Sequence, residues 1–471
     1  MREKIFVGPK VRSLRERKAL TLDACAKHLG LSTSYLSQIE TNQRPVTARV
    51  LIALSRYFGV NPAEFDTDEE SRIIADLREA TAELALDAPS PSLSELKLAA
   101  ATTPSLARQF IALHRAYRAL DERMMRFDES VRIRTEDAPD SLVPYQEVRD
   151  FFHYRDNYVD ELDVAAEALA EEVGIDGYGD VVDALERALA GRFGLRVERA
   201  ASTDAGFIRR YDPAARVVTL ARDLPEPTRV FQLATQLTSL LFADKVDAVL
   251  ESAGLKSATA RDVARIGLFN YAAGALLLPY GKFARSAMDL RHDIEQLQHR
   301  YTASFEQVSH RLSTLQRPGA RGVPFYFVRV DQAGNITKRH SSTRFQFARF
   351  GGACPLWNVH EAFHQPGRIL AQVAEMPDGV RYLCIGRSII KRSGNYLEPN
   401  RHYAIGIGCE IAHADKVVYS EGLRLDGAAV PVGVSCRICE RPNCHQRAYP
   451  PLDRRLVVHE HERRVVPYSI E

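Results

Sequence analysis

The chain has 471 residues, 45% of them hydrophobic and 26% charged, with a formal net charge of +2. That apolar content suits two or three ordinary domains and excludes a disordered protein. No apolar segment follows a basic N-terminus and no run of about 18 apolar residues occurs, which predicts a chain neither exported nor membrane-spanning, cytoplasmic, with reduced thiols. The small net charge hides an imbalance. Residues 1–60 hold 11 Lys/Arg against 4 Asp/Glu, whereas the remaining 411 hold 52 against 57. Basic charge gathered in one small N-terminal unit is the footprint of a nucleic-acid-binding module.

In chain order, caps delimit the first helices. Val11 to Lys18 forms one helix; Thr21 caps a second, Leu22 to Leu29, which Gly30 stops; Ser32 caps a third, Thr33 to Glu40. Thr47 opens a fourth, and Asn61-Pro-Ala-Glu64 reads as a further cap. Two helices joined by a tight turn follow the helix-turn-helix plan, whose second helix enters the DNA major groove. Ala24, Leu29, Leu31, Leu36 and Ile39 are its expected core. Thr33, Ser34, Tyr35, Ser37, Gln38, Asn42 and Arg44 are left outside, with side chains suited to base edges and phosphates. The segment, with its Tyr-Leu-Ser-Gln-Ile-Glu run and following basic loop, resembles the Cro/repressor-like helix-turn-helix family. One such domain binds weakly, so the resemblance implies a homodimer on two half-sites of double-stranded DNA about 34 Å apart. The long helices of 93–175 are the expected dimer contact.

A charged helical stretch over 68–87 ends in the linker Ala88-Pro-Ser-Pro-Ser92, and the long helices beyond it are interrupted around Ala138 to Pro144. From about 180 to 315, helices flank strand-like runs at Leu195–Arg199, Gly206–Arg210 and Val217–Leu220. Here Arg209-Arg-Tyr-Asp-Pro213, Phe231 to Leu241 and Asn270 to Pro279 resemble the ImmA/IrrE-type metallopeptidase domain. In that family the middle helix carries His-Glu-x-x-His, two zinc ligands and a general base on one face. The matching positions are Thr235, Gln236 and Ser239, none of which can do that work. The expectation is a non-enzymatic scaffold that serves as an effector pocket, with Tyr154, Tyr158, Arg210, Tyr211 and Tyr271 as candidate lining groups.

After Pro318 strands and turns dominate, among them Val323 to Val330, the turn Asp331 to Asn335, and Arg381 to Ile385. Cys25 and Cys384 read as small core residues. Cys436, Cys439 and Cys444 differ: three of the seven cysteines fall within nine residues, on a loop marked by Gly433 and Pro442. In a reducing compartment such clustering points to metal. Zinc would need a fourth ligand, with His445 nearest; an iron-sulfur cluster would take a fourth cysteine. Cys354, in Gly351-Gly-Ala-Cys-Pro, is the first candidate and Cys409 the second.

The order of segments, with Phe305 to Gly319, Cys354-Pro-Leu-Trp-Asn358 and the terminal cysteine triplet, resembles the short-chain fatty acyl transcriptional regulators over residues 8–452. The resemblance implies acyl-CoA or a related metabolite in the central region and a 4Fe-4S cluster, rather than zinc, on Cys354, Cys436, Cys439 and Cys444. The expected fold class is multidomain α and α+β. Residues 1–66 form a helix-turn-helix domain, 67–92 a helical linker, 93–175 a helical dimerisation and ligand region, 176–317 a degenerate ImmA/IrrE-like domain, and 318–471 an α+β sensor domain.

Overall fold

The computed structural model describes residues 7–18, 20–41, 43–60, 67–83, 91–130, 143–175, 177, 179–200, 207–255, 257–343, 345, 347, 353–393, 396–439, 441–451, 454–458, 461–462 and 465–470. Asn42, the Asn61–Glu64 cap, Ala88–Ser90, residues 138–142, Gly206 and the Gly351–Gly352 pair lie outside the described residues. The chain divides into two compact units, residues 1–136 with 442–471, and residues 137–441.

The first unit opens with α1 (Gly8–Arg17), α2 (Leu22–Leu29), α3 (Thr33–Glu40) and α4 (Ala48–Phe58). The first helix starts three residues before its expected position, because Pro9 sits in its first turn, where its missing N–H costs nothing. The expected caps form: Thr21, Ser32 and Thr47 accept from the backbone N–H of Ala24, Tyr35 and Val50, and Gly30 and Gly59 end α2 and α4 at φ +67° and +68°. Cys25, Ala26, Leu29, Leu36, Ile39 and Leu54 fill the core. Ala24 is only half-buried, and Cys25, Ala26 and Leu29 are the residues that α2 buries. Next come α5 (Thr67–Glu83), α6 (Leu93–Thr102) and α7 (Pro104–Ser130), joined by a second core of Ile73, Leu77, Leu96, Ala100, Ala107 and Ile111. Ser92 and Glu95 close a reciprocal capping box at the start of α6.

The second unit begins with α8 (Val143–His153), α9 (Asp160–Val173) and α10 (Val181–Phe193). A small sheet of β1 (Arg196–Arg199), β2 (Arg209–Asp212) and β3 (Val217–Leu220) follows, in order β1-β3-β2. Then come α11 (Glu226–Leu241), α12 (Ala243–Ser252), α13 (Ala258–Leu277), α14 (Tyr280–Asp289), α15 (Ile294–Tyr301) and α16 (Phe305–Ser313). A six-stranded sheet is built from β4 (Tyr326–Asp331), β5 (Ile336–Ser341), β6 (Leu370–Glu375), β7 (Arg381–Lys391), β8 (Arg401–Glu410) and β9 (Val430–Pro431), with the short helix α17 (Asn358–Glu361) between β5 and β6. Its order is β5-β4-β8-β7-β6-β9, antiparallel throughout except β6 with β9. In the tail of the first unit, β10 (Leu456–Val457) pairs with β11 (Ser469–Ile470).

Both faces of the large sheet are covered. Phe325, Phe327, Leu383, Ile385, Ile405 and Ile407 complete the helical core, while the alternate residues Tyr326, Val328, Tyr382 and Cys384 pack with Cys354 and Trp357. One core therefore runs from Val148 on α8 to Val417 beyond β8. The boundaries drawn from the sequence at 175/176 and 317/318 fall inside that core, because the helices and the strands bury apolar faces that neither could cover alone.

Candidate functional site

The third helix presents the expected reading surface. Leu36 and Ile39 point into the core at 0% exposure, which leaves Ser34, Ser37 and Gln38 at the surface. Thr33 donates its hydroxyl to Asp23 Oδ1 at 2.9 Å, tying the start of α3 to α2. Arg44 lies over the Tyr35 ring, 4.9 Å from its centroid, so the loop after α3 is ordered against the helix. The Gln38 carbonyl accepts from the N–H groups of Gln43 and Arg44, which turns the chain back and keeps Arg44 beside the helix. Hydroxyl, amide and guanidinium groups on one helix flank are the chemistry of base-edge and phosphate contact.

In the second unit, Tyr158 and Tyr271 converge on a buried charge centre. Asp163 on α9 accepts from Tyr271 Oη at 2.6 Å, and from Arg311 Nη1 and Nη2 at 2.7 and 3.1 Å. Arg317 Nη2 reaches Asp163 Oδ1 at 3.3 Å and Glu167 Oε2 at 2.8 Å, and its Nε donates to Tyr158 Oη at 2.9 Å. Two arginines thus meet two carboxylates, and the guanidinium of Arg317 lies 4.1 Å from the Tyr280 ring centroid. Burial works against the charge on Arg311, yet Asp163 outweighs it and its pKa is raised. Burial and Asp163 hold the Tyr271 hydroxyl protonated far beyond neutral pH. Both tyrosine hydroxyls are spent inside the protein, and both rings are buried in the core. Arg210 and Tyr211 stand on β2, where Arg210 covers the Phe207 ring at 4.4 Å, and Tyr154 is 44% exposed in the turn after α8.

The peptidase-like helix α11 keeps its shape with other chemistry. The Thr235 hydroxyl donates to the Phe231 carbonyl at 2.7 Å and Ser239 to the Gln236 carbonyl at 2.8 Å, both turned back onto their own helix. These positions supply neither zinc-binding imidazoles nor a general base.

The thiols are partly assembled. Cys354 and Cys439 are buried, and the Gly433 and Leu356 N–H groups donate to the Cys354 thiol. A Cβ placed on Gly433 would stand 2.9 Å from Cys439 Sγ, so only glycine lets this turn pass between the two cysteines. Burial raises the Cys354 pKa, the two N–H donors oppose it, and the nearby Cys436 and Cys439 add to the rise. Cys384 and Cys409 lie in the cores at 0% exposure. The donor chemistry suits a thiophilic metal or cluster. Among the described residues, however, no three His, Cys, Asp or Glu side chains are grouped so as to hold a metal ion, so the expected metal-binding loop is not formed here as a closed site. Cys444 falls in the first unit, and the geometry above concerns the other three.

Comparison with known proteins places these features. A model described as the short-chain fatty acyl coenzyme A regulator C-terminal domain matches residues 314–468. An IrrE N-terminal-like domain model matches 190–313, and a helix-turn-helix domain model matches 7–67. The propionyl-CoA carboxylase regulator of Cereibacter sphaeroides is 49% identical over 100% of both chains. The chain belongs to the short-chain fatty acyl transcriptional regulator family. The regulators RamB and PrpR of Mycobacterium tuberculosis are each 42% identical, over 99% of both chains for RamB, and over 98% of this chain and 96% of its own for PrpR. A solved Mycobacterium tuberculosis transcriptional regulator is 47% identical, with a TM-score of 0.67, covering 69% of this chain and 99% of its own. This member of the family is a DNA-binding transcriptional regulator of the helix-turn-helix type. Among its described residues no helix is long and apolar enough to cross a membrane.

Sequence reasoning about this regulator missed Asp163, Arg311 and Arg317. The signal was present: Asp163 shares a helix face with Val159, Ala166 and Ala170, and Arg311 follows Val308 on the inward face of α16. A charge in a core stripe calls for a buried partner, and two such charges predict each other.

Proposed function

We propose that the chain is an effector-responsive regulator that acts on DNA as a homodimer, senses acyl-CoA or a related short-chain fatty acid metabolite, and carries a 4Fe-4S cluster on Cys354, Cys436, Cys439 and Cys444. The observation that carries the reading is α3, whose polar flank is held outward by a capped, fully packed helix-turn-helix on the basic part of the chain. The name of one relative, a propionyl-CoA carboxylase regulator, supports the effector class. The Cys354 thiol beside Gly433, Cys436 and Cys439 supports the choice of a distant fourth ligand. A cluster bound there would supply redox and oxygen sensitivity. The chain's own contribution is to bury the sulfurs and to donate the Gly433 and Leu356 N–H groups to one of them.

Regulation requires the effector to bind the DNA-competent and incompetent states with different affinity. The test is protein purified without oxygen, assayed for iron, sulfide and zinc, and titrated with acyl-CoA in an operator-binding assay. Brown protein with iron and sulfide, and operator affinity that shifts with acyl-CoA, is expected. Colourless protein with stoichiometric zinc would make the cysteine site structural, and operator affinity indifferent to acyl-CoA would remove the effector.

A further inference from the structure

Helix α7 carries two apolar stripes, and only one of them is used. Ala107 and Ile111 are buried in the core shared with α5 and α6, and His114 is buried on the same side of the helix. On a second face Leu106 is 67% exposed, Leu113 69% and Tyr117 50%, with Phe110 half-buried at the edge between the two faces. These four positions are spaced by four, three and four residues, the spacing of successive d and a positions in a heptad. In the sequence the same alternation continues without a break through Leu120, Met124 and Phe127 to the end of the helix. A surface helix that needed only its own bundle would show one stripe. An uninterrupted a/d seam is instead the pattern that packs against another helix of the same pattern, knob into hole.

We propose that α7 is the dimer seam: it pairs with α7 of a second copy of this chain as a parallel, in-register two-helix coiled coil. This rests on the homodimer reading above and specifies its surface. The place of the reading domain favours the parallel arrangement: α1 packs on α6, which leads directly into the start of α7, so a parallel seam carries both helix-turn-helix domains at one end, whereas an antiparallel one would part them by about the 40 Å length of the helix. A two-fold axis along such a seam also meets the need of a helix-turn-helix protein to present two reading helices to two half-sites.

The test uses the full chain, by light scattering coupled to size-exclusion chromatography and by cysteine cross-linking. Leu106 and Leu113 are exposed, so L106E/L113E keeps the fold, checked by circular dichroism. It should raise the dimer dissociation constant at least about a hundredfold, since two leucines from each protomer leave the interface. L113C sets residue 113 against its own counterpart and should form a covalent dimer on mild oxidation that the wild-type chain, with its seven native cysteines, does not. A wild-type dimer that survives L106E/L113E and gives no L113C cross-link overturns the α7 seam and leaves the homodimer reading standing. A dimer lost in L106E/L113E without a cross-link at 113 overturns the parallel register. A monomeric wild-type chain removes the homodimer reading itself.

Discussion

Arg15 of α1 and Glu40, the last residue of α3, form a two-pronged ion pair, Nε to Oε1 at 2.7 Å and Nη2 to Oε2 at 2.9 Å, with both side chains largely buried. Arg15 also donates to the Leu20 carbonyl at 3.0 Å, so one guanidinium fixes the end of the reading helix against the helix and loop before it. Such paired geometry gives direction as well as attraction. Glu40→Ala leaves the largely buried Arg15 without its partner and should destabilise the helix-turn-helix by about 2 kcal/mol. Chemical denaturation read by the first unit's helical signal checks this; a change below experimental error would mean that the pair does not anchor α3.

Gln38 stands on the outward flank of the same helix, and truncating it touches no core residue. Gln38→Ala should lose sequence discrimination while keeping salt-dependent binding to unrelated DNA. Competition of operator against random DNA at two salt concentrations reads both terms, and an unchanged operator preference would deny α3 its reading role.

Asp163, at 0% exposure, accepts from both Arg311 and Tyr271. Asp163→Ala leaves a buried guanidinium uncompensated and should cost the second unit about 3–5 kcal/mol. Asp163→Asn, which keeps the shape and loses the charge, should fall between. Thermal melting of the full chain orders the three.

Alkaline pH should relieve a cost at Lys338. Burial pushes its ammonium down to about 8, only partly opposed by Glu306, whereas in the unfolded chain it titrates near 10.5. Between those values the unfolded state binds more protons, so this group's contribution to stability rises with pH through that window. Lys338→Met should stabilise the protein at pH 7 by ~1–2 kcal/mol, and the gain should shrink as pH rises from 8 to 10.5. The His310 and His340 pair adds the same sign at acid pH. Their Nε2 atoms lie 3.0 Å apart, and His340 Nδ1 faces Asn157 Oδ1 at 2.8 Å. Burial, with Lys338 nearby, holds both imidazoles well below their ordinary pKa, so stability falls as pH drops under about 6.5. Denaturation midpoints across pH for wild type and K338M decide the matter; a constant difference between them would refute the Lys338 cost.

Gly408 lets the large sheet stack closely. A Cβ there would collide with the Leu383 carbonyl oxygen and stand 2.6 Å from the Tyr326 ring. Gly408→Ala should therefore cost about 3 kcal/mol, since a strand backbone and a packed ring must both give way. A melting temperature equal to that of wild type would show the contact to be soft.

The helix-turn-helix was legible largely residue by residue because its information is local: Thr21, Ser32 and Thr47 announce helix starts, Gly30 announces an end, and the structure honours each of them. Val217–Leu220 was likewise a strand before it was seen as one. Arg209 to Asp212 extends beyond the expected Gly206–Arg210 run, since strand pairing with β3 rather than local pattern sets its limits. What the sequence could not supply is who shares a core with whom. Asp163 and Arg311 are 148 residues apart, and only folding makes them neighbours. Cys354 beside the Cys436–Cys439 turn was reachable from loop chemistry, because a Cys-Pro step and a glycine turn are both signs of a thiol freed from strand pairing.

The large sheet has a mechanical consequence. Consecutive residues of β4, β7 and β8 serve opposite cores, Tyr326 one and Phe327 the other, Cys384 one and Ile385 the other. No strand can slip by one residue to suit the Cys354 layer without turning its apolar side chains out of the helical layer. The Cys354 layer and the helical layer are therefore locked to a single strand register, and a change that breaks it on one side breaks it on the other.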